Sequence, residues 1–91
     1  MQNATAGTGD ILTRHARRRM RQRAIPPIMV DHVSTFGERR YSRGADSYFF
    51  TRKSWQRFER AVGPAAKQFQ RWRNIYVVVA DGHVITAAWR H

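Results

Sequence analysis

The stretch NIYVVVADGHVITAAWRH, residues 74–91, decides the fold. Asp81-Gly82 separates two runs rich in β-branched and aromatic residues. That pairing marks a tight hairpin, because both central positions of a primed two-residue turn need positive φ. With a turn of two residues, Ala80 faces His83. Alternation then assigns Ile75, Val77, Val79, Val84, Thr86, Ala88 and Arg90 to one face. Tyr76, Val78, His83, Ile85, Ala87, Trp89 and His91 fall on the other. The first face is mostly aliphatic and is expected to pack on helices. The second carries most of the groups able to touch a ligand. A slip of one residue reverses the assignment.

Upstream of the hairpin, the period changes. Trp55, Phe58, Val62, Phe69 and Trp72 recur at helical spacings, which predicts one long amphipathic helix or two short ones, kinked or divided at Gly63-Pro64. ERRYSR (38–43) and DSYFFT (46–51) read as a first hairpin, separated by Gly44-Ala45. PIMVDHVSTF (27–36) is a helix with Pro27 in its first turn and an apolar stripe of Ile28, Met29, Val33 and Phe36. Gly37 ends it. Thr13 is the expected N-cap of an opening helix that runs until Ile25-Pro26-Pro27. Residues 1–10 are expected to be a disordered lead-in and 11–91 a single domain. The element order is therefore ααββαββ, an α+β domain whose antiparallel sheet has its helices on one side.

Ninety-one residues suffice for one small core. Without cysteine the chain forms no disulfide and no zinc site built on thiolates. The N-terminus lacks the pattern of a signal peptide, and the longest apolar run, IYVVVA, is strand-sized, so a cytoplasmic protein without a membrane partner is expected. The net charge is +11, and of seventeen basic residues only Lys53 and Lys67 are lysine. Such a field attracts polyanions, and guanidinium forks grip phosphate through paired donors. Nucleic acid ranks ahead of membrane as the partner, because no broad Leu/Phe face lies opposite the charges.

RHARRRMRQR (14–23) holds six of the arginines, and helical geometry sorts them into rows. Leu12, Ala16, Met20 and Ala24 form the apolar row. His15, Arg19 and Arg23 border it and are expected to be partly desolvated; Arg14 and Arg18 lie beyond them, Arg17 and Arg21 lie on the far side of the apolar row, and these outer arginines are expected to be solvated. Three cationic-capable groups on one ridge repel one another, which suits a phosphate or a carboxylate between them. A brace by Asp31 or Glu38 is the structural alternative.

HARRRMRQRAI resembles the opening motif of the domain-of-unknown-function 4258 family, His-Ala-x-x-Arg-Met-x-x-Arg-Gly-Ile. It matches at His15, Ala16, Arg19, Met20, Arg23 and Ile25, with Ala24 where glycine is common. The resemblance continues through Gly37, YFF (48–50) and YVVVADGHVIT (76–86). That family is similar to small bacterial toxins with a RelE- or barnase-like fold. The resemblance implies metal-independent RNA cleavage without a cofactor, on ribosome-associated mRNA or tRNA, and an acidic antitoxin or immunity protein as partner. Where members often end the last strand with His-Arg, this chain has Trp89-Arg90-His91.

Six scattered acidic residues argue against paired carboxylates on Mg²⁺, and no serine lies in a nucleophile motif. Metal-free RNA cleavage needs a base for the 2′-hydroxyl, cations for the developing phosphorane charge and an acid for the leaving oxygen. His15, Arg19, Arg23, His83, Arg90 and His91 are the catalytic candidates. Arg14, Arg17, Arg18, Arg21, Arg39, Arg40 and Arg43 are candidates for nucleic-acid binding. Tyr48 and Tyr76 are secondary candidates. His32 reads as surface or structural, and Trp55, Phe58, Phe69 and Trp72 as core. The alternative function is a non-catalytic module that holds nucleic acid or an acidic protein.

Overall fold

The structure is a computed structural model and describes residues 11–90. The lead-in 1–10 and the candidate His91 lie outside them. The elements are β1 (Ile11–Leu12), α1 (Arg14–Gln22), α2 (Pro27–Phe36), β2 (Glu38–Ser42), β3 (Ala45–Phe49), α3 (Arg52–Val62), a 3-10 helix (Gly63–Trp72), β4 (Ile75–Ala80) and β5 (His83–Trp89). Strands β2 to β5 form the expected antiparallel sheet, with helices packed on one face, in the order ααββαββ. The sheet order is β1-β5-β4-β3-β2. The pair Ile11-Leu12, too short to announce itself in the sequence, adds a parallel strand on the outer side of His83 and Val84.

Both hairpins close on two-residue turns with positive φ at each central position, Asp81-Gly82 at 51° and 73° and Arg43-Gly44 at 53° and 80°. The first turn is the predicted one, and Ala80 faces His83. The second lies one residue earlier than the expected Gly44-Ala45, so that Ser42 faces Ala45. Arg43 takes the left-handed conformation that Gly-Ala would have placed on Gly44 alone.

Beyond Val84, the predicted assignment of faces is overturned. Val79 pairs with Val84 but Val78 pairs with Thr86, which leaves Ile85 without a partner on β4. This extra residue is a β-bulge, and it exchanges the faces of everything after it. Ala87 is fully buried on the helix side with Ile75, Val77, Val79 and Val84. Thr86, Ala88 and Arg90, expected to face the core, join Tyr76 and Val78 on the open face instead. Ile85 is 39% exposed. Strict alternation cannot anticipate the bulge, because the residues on both sides of it are equally β-prone.

The helix ends follow local chemistry. Thr13 caps α1, its hydroxyl accepting from Ala16 N–H at 3.0 Å. The same hydroxyl donates to the Val84 carbonyl, also at 3.0 Å, which ties the cap to the sheet. The helix stops earlier than the prolines require, at Gln22 with Arg23 as C-cap, because Ala24 turns into the left-handed region at φ 55°. Two indoles fasten that end: Trp89 Nε1 donates to the Arg23 carbonyl at 3.0 Å and Trp72 Nε1 to the Ala24 carbonyl at 2.8 Å. Orphan carbonyls at a helix C-terminus need such donors. In α2 the buried stripe is Met29, Val30, Val33 and Ser34, and Ile28 is 49% exposed rather than part of it. Gly37 follows where β2 starts against β3. A Cβ there would lie 2.6 Å from the Val33 carbonyl oxygen and 2.7 Å from that of Phe49, so no other residue fits. Gly63-Pro64 divides the aromatic stretch into α3 and the 3-10 helix.

Phe58 is fully buried at the centre of an aromatic cluster with Phe36, Phe50, Trp55 and Phe69. The expectation that these aromatics are core is met; Phe69 and Trp72 pack against it partly buried. His32 belongs to the same cluster, its ring centroid 4.9 Å from Phe58 and 4.7 Å from Phe69, with Nε2 buried and without a hydrogen-bond partner among the described residues. Burial pushes its pKa below 6.5, and the neighbouring Asp31 carboxylate opposes that only in part.

Ala24→Gly removes a left-handed strain of about 1–2 kcal/mol against a smaller unfolded-state entropy loss, so thermal unfolding should show a gain of about 0.5–1 kcal/mol. At His32 the unfolded chain binds more protons than the folded one, so the stabilisation is complete above pH 6.5 and lost as pH falls below it. Urea midpoints should drop on that acid side, and His32→Phe should flatten the drop.

Candidate nucleic-acid interface

The open face of the sheet carries a half-open groove of about 630 Å³, lined by Arg23, Arg40, Ser47, Phe49, Tyr76, Ala88, Trp89 and Arg90. That size is in the range of ligand sites. Cross-strand register builds its floor: Arg40 faces Ser47, Phe49 faces Tyr76, and Tyr76 faces Ala88. Arg90 follows Ala88 by two residues on the same face. Arg23 enters from the end of α1, round the edge of β5. Three guanidinium groups therefore line one groove, with two hydroxyl-bearing side chains between them, and among the described residues no aspartate or glutamate lines it.

Neutral groups hold these cations. Arg23 donates from Nη1 to the Ala87 carbonyl at 2.9 Å. Arg90 donates from Nη1 to the Phe50 carbonyl at 3.1 Å, and its backbone N–H donates to Asn74. The Arg90 guanidinium also sits 4.7 Å from the centre of the Phe49 ring, and that of Arg40 sits 5.5 Å from it. A cation over a ring face is attracted by about 0.5–1 kcal/mol in an exposed setting. Unlike a carboxylate, the ring does not neutralise the charge or occupy the N–H edges. Since guanidinium has five donors, most remain available to an incoming anion.

The other predicted residues are dispersed. His15 is exposed on α1, about 12 Å along the helix axis from Arg23, and makes no hydrogen bond or ion pair among the described residues. Arg19 is half-buried and donates to Gln22 Oε1 at 3.2 Å. Only Arg23 of that row reaches the groove. Its brace is the carbonyl of Ala87, not the carboxylate of Asp31 or Glu38; Glu38 pairs with Arg57 at 3.2 Å. His83 is exposed at the opposite end of β5, about 23 Å from Arg90, with Nδ1 2.8 Å from the Asp81 carbonyl oxygen. Arg14 and Arg18 are exposed on α1. Arg17 and Arg21 flank a smaller cleft of about 210 Å³ formed with Leu12, Met20, Ile25 and Pro27. Arg39 lies 3.9 Å from Asp46, and Arg43 is in the hairpin turn.

Sequence reasoning placed Arg40 only in a general electrostatic footprint and Tyr76 among secondary candidates, yet both line the groove. Ser47 and Phe49 were missed. Alternation across three strands would have grouped Phe49 with Tyr76 had the strand register been known. Among the described residues, no three His, Asp or Glu side chains converge as metal ligands, and no helix is long and apolar enough to cross a membrane. No protein-family model, curated protein or solved structure matches the chain.

The two kinds of arginine separate by stability. Arg23→Ala strands the Ala87 carbonyl at a half-buried site and should cost about 1–3 kcal/mol in chemical denaturation. Arg40→Ala breaks no hydrogen bond among the described residues, only the contact with the Phe49 ring, and should cost no more than about 1 kcal/mol.

Proposed function

We propose that this protein is a metal-independent endoribonuclease of the bacterial toxin type, which binds RNA across the open face of its sheet and acts on it in the Arg23–Arg40–Arg90 groove. One observation carries the reading: three guanidiniums line a groove that no acidic side chain enters among the described residues. Like charges gathered without a counter-ion favour an anion, and phosphodiester is the anion that guanidinium forks match. The resemblance of HARRRMRQRAI to the toxin-like family agrees with this assignment, but the centre moves from the α1 ridge to the sheet.

In this mechanism Arg40 and Arg90 hold the phosphate through the donors left free beside Phe49, and Arg23 closes the site from α1. Their charge stabilises the pentacoordinate transition state formed when the 2′-oxygen attacks phosphorus. The Tyr76 phenol, on the groove floor, exchanges the proton of the 2′-hydroxyl or of the leaving 5′-oxygen. The outer arginines of α1 add sequence-independent attraction for the rest of the strand.

A second reading is a binding module without catalysis. It is favoured by the absence of any described histidine from the groove. Incubation of purified protein with single-stranded RNA in EDTA distinguishes the two. Cleavage that falls about 100-fold in Arg90→Ala and Tyr76→Phe supports the nuclease. Intact RNA, with salt-dependent binding whose slope drops by about 0.7 in Arg40→Ala, supports the module. Loss of cleavage in His15→Ala with normal Arg40 and Arg90 variants would return the centre to α1.

A further inference from the structure

The two edges of the sheet are treated differently. On the β5 side the outward backbone is occupied: β1 pairs with His83 and Val84, Thr13 donates to the Val84 carbonyl, and Arg23 donates to that of Ala87. On the other side β2 ends the sheet, and Arg39, Arg40, Tyr41 and Ser42 are all exposed. Tyr41, at 70%, is the most exposed large apolar side chain among the described residues.

Hairpin geometry identifies the free backbone groups. Ser42 and Ala45 flank a two-residue turn and exchange hydrogen bonds, and the exchange then recurs at every second pair. Arg40–Ser47 is therefore such a pair, whereas Arg39 and Tyr41 direct their N–H and C=O groups away from β3. The edge thus offers four backbone groups, with the Arg39 and Tyr41 side chains on one face and Arg40 on the other.

We propose that β2 is a docking edge for an acidic extended segment of another protein, which adds to the sheet as a further strand. Charge complementarity selects the partner. Residues directly opposite across an added strand have Cβ atoms about 5 Å apart, so like charges destabilise the pair and opposite charges stabilise it. A second copy of this chain would bring Arg39, Arg40 and Arg43 against arginines of its own kind. A segment with Asp or Glu opposite Arg39 and Arg40, and a β-branched residue opposite Tyr41, meets the edge at every position. The charge on β2 is also what keeps such an edge from pairing with itself.

Docking here has a consequence for the groove. Arg40 belongs to both, so a carboxylate placed opposite it takes up guanidinium donors that would otherwise meet phosphate. This inhibitory effect rests on the RNA reading; the docking itself does not.

The test uses the full chain, an acetylated peptide Thr-Val-Glu-Glu-Val-Glu-Thr amide, and a control of equal charge with both valines replaced by proline. In the expected result the first peptide slows amide hydrogen exchange at Arg39 and Tyr41 at least tenfold and the control does not. Arg39→Glu should weaken binding at least tenfold. Tyr41→Pro should do the same, since it removes an outward N–H and leaves the ladder to β3 intact. Equal binding of both peptides without protection of those amides would reduce the interaction to charge attraction and overturn the proposal. Bound peptide should also lower affinity for single-stranded RNA. If RNA fails to bind at all, the RNA reading fails while amide protection still decides the docking.

Discussion

The unpaired Ile85 between Val84 and Thr86 is the constraint on which both faces of this sheet depend. Before it, the two strands alternate in phase, with Val77, Val79 and Val84 directed at the helices. After it the phase of β5 changes, so Ala87 fills the core and Thr86, Ala88 and Arg90 lie on the open face, Arg90 exposed, Thr86 half-buried and Ala88 buried in the groove floor. In regular alternation Arg90 would follow Val84, Thr86 and Ala88 toward the helix-covered face and away from the groove. The bulge turns it to the groove and leaves one isoleucine partly exposed.

The consequences extend to α1. With Ala87 turned inward, its carbonyl lies at the edge of β5 where Arg23 can reach it, and Trp89 is positioned to bond the carbonyl of Arg23. The C-terminal end of the basic helix is thereby fastened to the strand that also presents Arg90. Packing, capping and the placement of two groove cations follow from one backbone irregularity. Trp72 joins the same junction from the 3-10 helix, so elements distant in sequence converge on Arg23 and Ala24.

The groove holds its cations without an acidic partner among the described residues. Carbonyl oxygens and the Phe49 ring fix the guanidiniums, while the acidic side chains are engaged elsewhere or remote. Glu38 holds Arg57, Asp46 lies near Arg39, and Asp31 neighbours His32 in α2. Neutral supports cost less desolvation than ion pairs and leave positive potential undiminished in the cavity. Such a groove has the charge and the free donors that an anion from solution would need.

The sequence alone determined the order of the elements from α1 onward, the Asp81-Gly82 turn, the Thr13 cap, the division at Gly63-Pro64 and the aromatic core. Each depends on neighbours within a few residues, through φ preferences, capping or hydrophobic period. It also separated half-buried Arg19 and Arg23 from the exposed Arg14, Arg17, Arg18 and Arg21, but His15, assigned to the same bordering row, and Ala24, assigned to the apolar row, are exposed. The tertiary structure alone decided which cations meet. Arg23, Arg40 and Arg90 come from three elements, and their meeting depends on strand order, on the register of β2 with β3, and on a bulge among equally β-prone residues. Those are settled by packing the two faces of the whole sheet, a long-range constraint that no local pattern encodes.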